Sequence, residues 1–586
     1  MLKPDNFIKW FTGEVLIIFA LLLTINNYLV NEDITIKADG EGYYDYLPAL
    51  FIYKDFPCRS EAKSDRDYIR LNKLAFYLQY RGERINKYPC GTAVLLSPFF
   101  CFAHLTANSA GSANDGFSRP FQISIFYAAL FYLFLALVFA RKLLKLYHLS
   151  WPNIFLMQFL IVFATSVISY VNFDPAFSHI YSFFAITAFS FFVKAYFNNK
   201  QTKHFLWACI FLGLIIIIRQ VNVIIILFIP FLAGSLQRLK SGIMYIFQRK
   251  TGLFSGILLT SLIAFIQLFL WHYQTGNYFV YSYIGEGFNF LTPKFLKILF
   301  SYQKGLFTYA PVLLFALGGC LLLLWKKEFY LFLTWITFFA AITYVFSSWH
   351  SWVYGGSFGS RVYVDFYIIF FILFGVLIEN VKLWFKLPVI TLSLLTVPVS
   401  LIQTKQYKEF ILHWIAMDRQ KYWTVFLKQD ARFKGILWKN HYDFNSQTTK
   451  IIYSASIPDT RLNANSMKEL FVEYSNNIKD FDTVNIIQVL LSNDFNLKQD
   501  ARTELTIRDT LTDKNIFDYS SPIIHYCEND YCRFQQGEFN YKFSPVKKGN
   551  IKRISLKLYS NNMAVETKNI KINFLRYYKV SGQSIP

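Results

Sequence analysis

The sequence predicts a polytopic α-helical membrane protein of about eleven transmembrane helices, with juxtamembrane helices and a C-terminal β-sandwich-like extracytoplasmic domain. Three observations carry that expectation. Hydrophobic residues make up 54% of the 586 positions and aromatic residues 20%, against 16% charged, and the mean hydropathy is +0.30; an ordinary soluble domain is far more polar. Apolar runs near the ~20 residues needed to cross a hydrocarbon core recur as far as residue 403. Beyond that point period-two alternation replaces them.

The formal net charge of +22 raises nucleic acid as a partner. The cations instead sit in short clusters between apolar runs, where they orient membrane helices, so no nucleic-acid partner is expected. Of the seven cysteines, Cys101, Cys209 and Cys320 lie in apolar runs as packing residues. Cys527 and Cys532 can close a small loop if their domain faces an oxidising compartment, the sequence leaves open whether they or Cys58 and Cys90 form disulfides, and no spacing matches a zinc site.

The run "GEVLIIFALLLTINNYLV" (13–30) lacks a small-residue cleavage site and reads as a first helix that stays attached. Further crossings are expected at 121–140, 153–171, 178–196, 252–271, 305–325, 329–347, 361–379 and 387–403. Two segments control the count. "YPCGTAVLLSPFFCFAHLTA" (88–107) is broken by Pro89 and Pro98 and is read as interfacial. The run 204–234 is too long for one crossing and is read as two short passes bending at Arg219-Gln220. With those choices Arg141, Lys142, Lys145, Lys200, Lys203, Arg238 through Lys250, Lys326, Lys327, Lys382 and Lys386 share one side with Lys3 and Lys9. The positive-inside rule makes that side cytoplasmic and puts everything after ~403 outside, in a bacterial-type inner (plasma) membrane.

The expected organisation is a membrane unit at 1–403 with a large first outer loop at 31–120, an interfacial linker at 404–429 and a β-rich domain at 430–586. In the last of these, "NIKRISLKLYS" points Ile554, Leu556 and Leu558 one way and Arg553, Ser555 and Lys557 the other.

This topology gathers polar residues from distant segments at one membrane face: Asp39, Glu41, Tyr43 and Tyr44 from the first loop, Lys87, then Asp174 and His179. Arg219, Glu286, His350, Tyr354 and Arg361 join them from later segments. Ions at membrane depth are costly and are either paired or functional. A carboxylate facing cations suits group transfer from a lipid phosphate, with the cations stabilising the leaving anion and the carboxylate accepting the acceptor hydroxyl's proton. Tyr43, Tyr44, Trp349, Trp352 and Tyr354 are candidates to face sugar rings, or they belong to an interfacial aromatic belt.

The order "ADGEGYYDYLPAL" (38–50), "NKYPCGTAVLLSPFF" (86–100), "NFDPAFSHIYSFF" (172–184) resembles the GT-C superfamily of polyprenyl-phosphate-sugar glycosyltransferases, notably the protein O-mannosyltransferases and the lipid A aminoarabinose transferase. The likeness spans about residues 1–400 by order of elements. It implies a membrane glycosyltransferase, inverting at the sugar, with a polyprenyl-phosphate-linked donor and a glycan, lipid or protein acceptor. Asp39 matches the first-loop acid, Asp174 the second-loop acid, and Lys87 the basic position near the lipid phosphate. The chain departs from the pattern in reading Asp-Gly-Glu for Asp-Glu, which leaves Asp39 and Glu41 both open as the base, and "KYP" for Lys-Pro-Pro.

Each residue also has a plainer reading. Asp39 before Gly40 is a turn acid, Glu41 and Asp45 solvated loop acids, Asp174 a helix cap and His179 a hydrogen-bonded bundle histidine. Arg219 is a snorkelling or structural cation, and Arg361 an anchor at a helix start. No cofactor is certain; Asp39 and Asp174, with Glu41, have the oxygen donors for Mg²⁺ or Mn²⁺ if their loops converge. Two other function classes remain at this stage, a transporter or flippase of lipid-linked glycans and a non-catalytic glycan-binding subunit.

Overall fold

The computed structural model describes residues 4–29, 34–54, 76–430, 433, 437, 449–463, 465–490, 501–513, 515–523, 525–528, 531–534, 538–542, 550–560, 565–567 and 570–577. It divides into two units: residues 1–408 with 414–417, and residues 409–413 with 418–586.

The first unit is a helical bundle. Among the described residues, seven helices are long and apolar enough to cross a membrane, Thr12–Leu29, Arg119–Lys145, His179–Asn199, Lys250–Thr275, Phe329–Ser347, Arg361–Asn380 and Leu383–Lys408, or eight with one bent pair. The expectation of about eleven crossings also counted three apolar runs that are interrupted here and supply shorter apolar helices, Trp151–Phe163, Thr202–Ile218 and Pro311–Trp325. The 153–171 run splits into helices Trp151–Phe163 and Val167–Asn172. The 305–325 run breaks at Ala310-Pro311, where proline cannot continue the ladder. The 204–234 run is helical over Thr202–Ile218, extended at Arg219, and then a 3₁₀ helix over Gln220–Phe228. Its sharp bend, 116°, comes later, between Gln220–Ala233 and Leu236–Gln248. The 88–107 segment is a helix, Gly91–Thr106, with Pro98 inside it.

These surfaces fit hydrocarbon. Along Lys250–Thr275 the side chains of Phe254, Ile257, Leu258, Leu262, Phe265 and Phe269 are all exposed, a pattern stable only where the surrounding solvent is itself apolar. His179–Asn199 and Arg361–Asn380 are the opposite case, buried almost all round at the centre of the bundle. Charge is buried in the bundle as well: Glu14 accepts from Arg141 Nε at 2.6 Å and from Gln158 Nε2 at 2.9 Å. Arg141 is therefore an internal tie between three helices rather than a loop cation.

The second unit contains two antiparallel four-stranded sheets. Their strand orders are Glu538–Lys542, Ile486–Leu490, Ile570–Tyr577, Thr449–Ile457 and Met467–Tyr474, Lys552–Ser560, Ala501–Asp509, Asn515–Ile523. Both contribute to one core, in which Ile572 and Phe574 meet Leu505, Ile507, Ile554, Leu556 and Leu558, so the sheets form a sandwich. Of the linker, only Arg419–Val425 is a separate helix, since Leu383–Lys408 runs past residue 403. Backbone pairing sets Cys527 opposite Cys532; Cys58 lies outside the described residues.

Leu556 is fully buried in that core. Leu556→Ala is expected to destabilise the sandwich by about 2–5 kcal/mol, read as faster amide exchange across Lys552–Ser560 in the full-length protein with exchange in the bundle unchanged.

Candidate active site

The first loop begins with a strained residue. Ala38 is held at φ +50°, a conformation costly for a residue with a Cβ, and it launches the short helix Asp39–Tyr44. A second short helix, Tyr46–Phe51, follows. The hairpin Tyr77–Tyr80/Glu83–Asn86 folds back on both: Asn86 Nδ2 donates to the Gly42 carbonyl at 2.7 Å, Tyr46 Oη to the Tyr88 carbonyl at 2.7 Å, and Tyr77 Oη to Asp45 Oδ2 at 2.5 Å. Asp45 is thus buried and tied to the hairpin, not solvated. These bonds bring Lys87 and Tyr88 beside Asp39, which accepts a hydrogen bond from the Tyr88 hydroxyl.

Gly91 follows directly. A Cβ there would collide with the Ile217-Ile218 backbone, so the Gly91–Thr106 helix can close onto the end of Thr202–Ile218, the point at which Arg219 leaves helical geometry. What holds that break is Asp365. Its Oδ2 accepts from Arg219 Nη1 at 3.1 Å and Asn222 Nδ2 at 2.7 Å, and its Oδ1 meets His179 Nδ1 at 2.7 Å. Asp365 is completely buried, and its partners come from two other segments, His179 from one and Arg219 with Asn222 from the other. Asn222 belongs to the 3₁₀ helix, whose tighter winding helps two groups three residues apart reach the same oxygen.

Arg361 is placed from another direction. Buried Lys304 donates to the carbonyls of Ser357 and Trp414, anchoring the loop that leads into the 3₁₀ turn Arg361–Phe366. Burial, with Arg361 nearby, drives the Lys304 pKa well down. Arg361 Nη1 lies 2.7 Å from Asp39 Oδ2. Burial works against ionisation of Asp39, but Arg361, the Tyr88 hydroxyl and Lys87 outweigh it and hold the carboxyl below its usual range. Burial and the Asp39 charge push the Tyr88 phenol well up, so it stays a donor.

These groups line one cavity of about 540 Å³. Asp39, Tyr43, Lys87, His179, Arg219, Glu286, His350, Tyr354 and Arg361 all reach it. Tyr88, Tyr283, Phe288 and Trp349 supply its aromatic walls, with Tyr43 and Tyr88 rings 4.5 Å apart and Tyr283 edge-on to Trp349 at 5.7 Å. Lys87 pairs with Glu286. The Tyr354 hydroxyl donates to the Phe346 carbonyl, which leaves its ring for the cavity.

Three expected site residues do not line it. Tyr44 is a core residue, its hydroxyl bonded to the Gly116 carbonyl and its ring packed on Phe100 and Phe117, so it is not a sugar contact. Glu41 is half-buried on the Asp39–Tyr44 helix, and its carbonyl accepts from Asp45 N. Asp174 is buried in the turn before Phe177. Among the described residues no three His, Cys, Asp or Glu side chains gather as metal ligands. Asp39 already has one oxygen on a guanidinium in a cavity that three cations line, which is a donor set for an anion and a poor fit to Mg²⁺ or Mn²⁺.

Sequence reasoning missed Asp365, Asn222, Tyr88 and Tyr283. The detectable signal was Asp365 itself, an acid within the apolar run 361–379.

Asp365→Asn removes the charge that Arg219 and His179 share and leaves the partly buried Arg219 without its counterion. It is expected to lower stability by about 3–5 kcal/mol, seen as a depressed unfolding midpoint in detergent. Asp365→Glu is expected to recover part of that loss.

No family model matches the chain, and no curated protein matches it. Among solved structures it is similar to the archaeal oligosaccharyltransferase AglB from Archaeoglobus fulgidus in complex with an inhibitory peptide and a dolichol-phosphate, at 12% identity and a TM-score of 0.39, covering 69% of this chain and 56% of that one. It is similar also to the Archaeoglobus fulgidus oligosaccharyltransferase in the apo form, again at 12% identity and 0.39, covering 71% of this chain and 57% of that one. The chain thus spans a little over half the length of the structures it matches.

Proposed function

We propose that this protein is a GT-C-type membrane glycosyltransferase that moves a sugar from a polyprenyl-phosphate-linked donor to an acceptor hydroxyl, with inversion at the anomeric carbon. The observation that carries the reading is the meeting of Asp39 with Lys87, Arg219 and Arg361 around one aromatic-walled cavity. The three cations come from separate parts of the chain, and nothing in the packing of an apolar bundle calls for so much charge in one place.

In this reading the donor phosphate lies against Arg219 and Arg361, and Lys87 exchanges its bond to Glu286 for a phosphate oxygen. The acceptor oxygen attacks the anomeric carbon while its proton passes to the Asp39 carboxylate. The bond from that carbon to the phosphate oxygen breaks, and its electron pair leaves on the phosphate, which the cations stabilise. A phosphate leaves without needing a proton, so one carboxylate is enough where a glycosidase needs two. Arg361 spans both halves of the reaction, since its remaining N–H donors can hold phosphate while Nη1 orients Asp39. Tyr43, Tyr88, Tyr283 and Trp349 offer ring faces to the sugar and keep water out. No step runs through a metal.

The orientation is part of the proposal. His179 opens onto the cavity at one end of its helix, and Lys200 and Lys203 follow the other end. The positive-inside rule sets those lysines in the cytoplasm and the cavity on the extracytoplasmic side. The bent helix pair beside Arg219 keeps a carrier for lipid-linked glycans as the second reading.

Asp39→Asn is expected to cut transfer by about 10²–10⁴-fold in vesicles supplied with polyprenyl-phosphate sugars, with donor binding kept. Wild-type turnover in that variant would defeat the assignment, and lipid flipping by it without transfer would favour the carrier.

The pH dependence is signed. Asp39 acts as its carboxylate, so activity is present above its lowered pKa and is lost as pH falls through it, giving an acid limb below the ordinary carboxylate range. Arg361→Met leaves burial opposing ionisation without its main counterweight, and the limb is expected to move to higher pH. A limb that stays in place would remove the ion pair from the account.

A further inference from the structure

The end of the bundle away from the cavity holds a second cluster of cations. Lys194 lies on the same helix as His179, fifteen residues on, or about 22 Å along the axis. It is only 6% exposed, and its ammonium rests over the Tyr147 ring at 4.7 Å. A ring face replaces only part of the hydration that an ammonium gives up. Among the described residues neither Lys194 nor Arg238 has a carboxylate partner, and the charge that acts on Lys194 is Arg238, another cation.

The backbone leaves room between them. Gly234 turns the chain at φ +84° in the 116° bend, and a Cβ built on it would stand 3.4 Å from Lys194 Nζ and 3.8 Å from Arg238 Nη1. The helix Leu236–Gln248 starts at this point, with Ser235 capping Arg238 N, so the start of a helix dipole faces the same region. Among the described residues the buried Tyr147 hydroxyl has no hydrogen-bond partner, and its ring stacks on Phe231 at 6.2 Å. Two like charges, a hydroxyl and a glycine that keeps the space open form an arrangement whose chemistry suits an anion.

We infer that Lys194, Arg238, Tyr147 and the Gly234-Ser235 turn bind a phosphate group, carried by an anionic phospholipid headgroup or by free phosphate, at a site separate from the cavity. A basic pocket between helices is a recognised setting for lipid phosphates. The inference does not depend on glycosyl transfer.

The test uses the full-length protein in two arms. In the first, the protein is reconstituted in mixed phosphatidylglycerol and phosphatidylcholine vesicles, extracted, and its retained lipid measured by native mass spectrometry. Selective retention of phosphatidylglycerol is expected, falling about fivefold in Arg238→Gln and again in Lys194→Met, with Lys240→Gln close to wild type. Arg238 is exposed, so its variant keeps the test valid if Lys194→Met folds poorly. In the second arm, inorganic phosphate is titrated against lipid-depleted protein. Saturable binding that is lost in Arg238→Gln assigns the site to free phosphate; lipid selectivity without phosphate binding assigns it to a headgroup. If Arg238→Gln matches wild type in both arms, or neither arm shows binding, the inference is overturned.

Discussion

A single carboxylate, Asp365, sets the geometry on which the rest of the cavity depends. A charge buried inside an apolar bundle is stable only when its partners surround it, and here Arg219, Asn222 and His179 do so. Satisfying that charge requires the chain to abandon α geometry at Arg219 and to continue as a 3₁₀ helix. The same contact aligns the start of the central helix at His179 with the segment bearing Arg361. The interruption at mid-bundle is therefore a consequence of an ion-pair network rather than of weak helix propensity, since the residues on either side are strongly apolar.

Around this anchor the cavity carries its own electrostatic balance. Asp39 pairs with Arg361, and Lys87 with Glu286. Each charge thereby avoids isolation in a low-dielectric site, and each pair can be rearranged when a stronger anion such as a phosphate arrives. The aromatic walls add to the effect, because they exclude water and so strengthen every remaining charge interaction. Tyr88 contributes twice, by packing on Tyr43 and by donating to Asp39. Its phenol is held protonated by the burial that makes it part of the wall.

The central helix links two chemically different ends. At its start a histidine is fully engaged with a carboxylate. Near its other end a lysine has, among the described residues, a ring face and a second cation beside it. The β-rich unit follows different rules: its stability rests on one apolar core between two sheets, and its charged side chains lie in cross-strand pairs such as Arg553 with Glu469.

Hydropathy and periodicity are local properties, so the sequence by itself determined the membrane class of the first unit, most of its helices and the sandwich, down to the inward face of Ile554, Leu556 and Leu558. It also determined which loops are rich in acids, cations and aromatics, and nine of the twelve candidate residues named from those loops line the cavity. Pairing is different, because it depends on contacts between residues far apart in the chain. Only the tertiary structure decided that Asp39 faces Arg361, that Tyr44 turns into the core while Tyr43 faces the cavity, and that Arg141 is an internal tie. Asp365 shows why: within its own segment it is one acid in an apolar run, and its role exists only when two other segments arrive to share its charge.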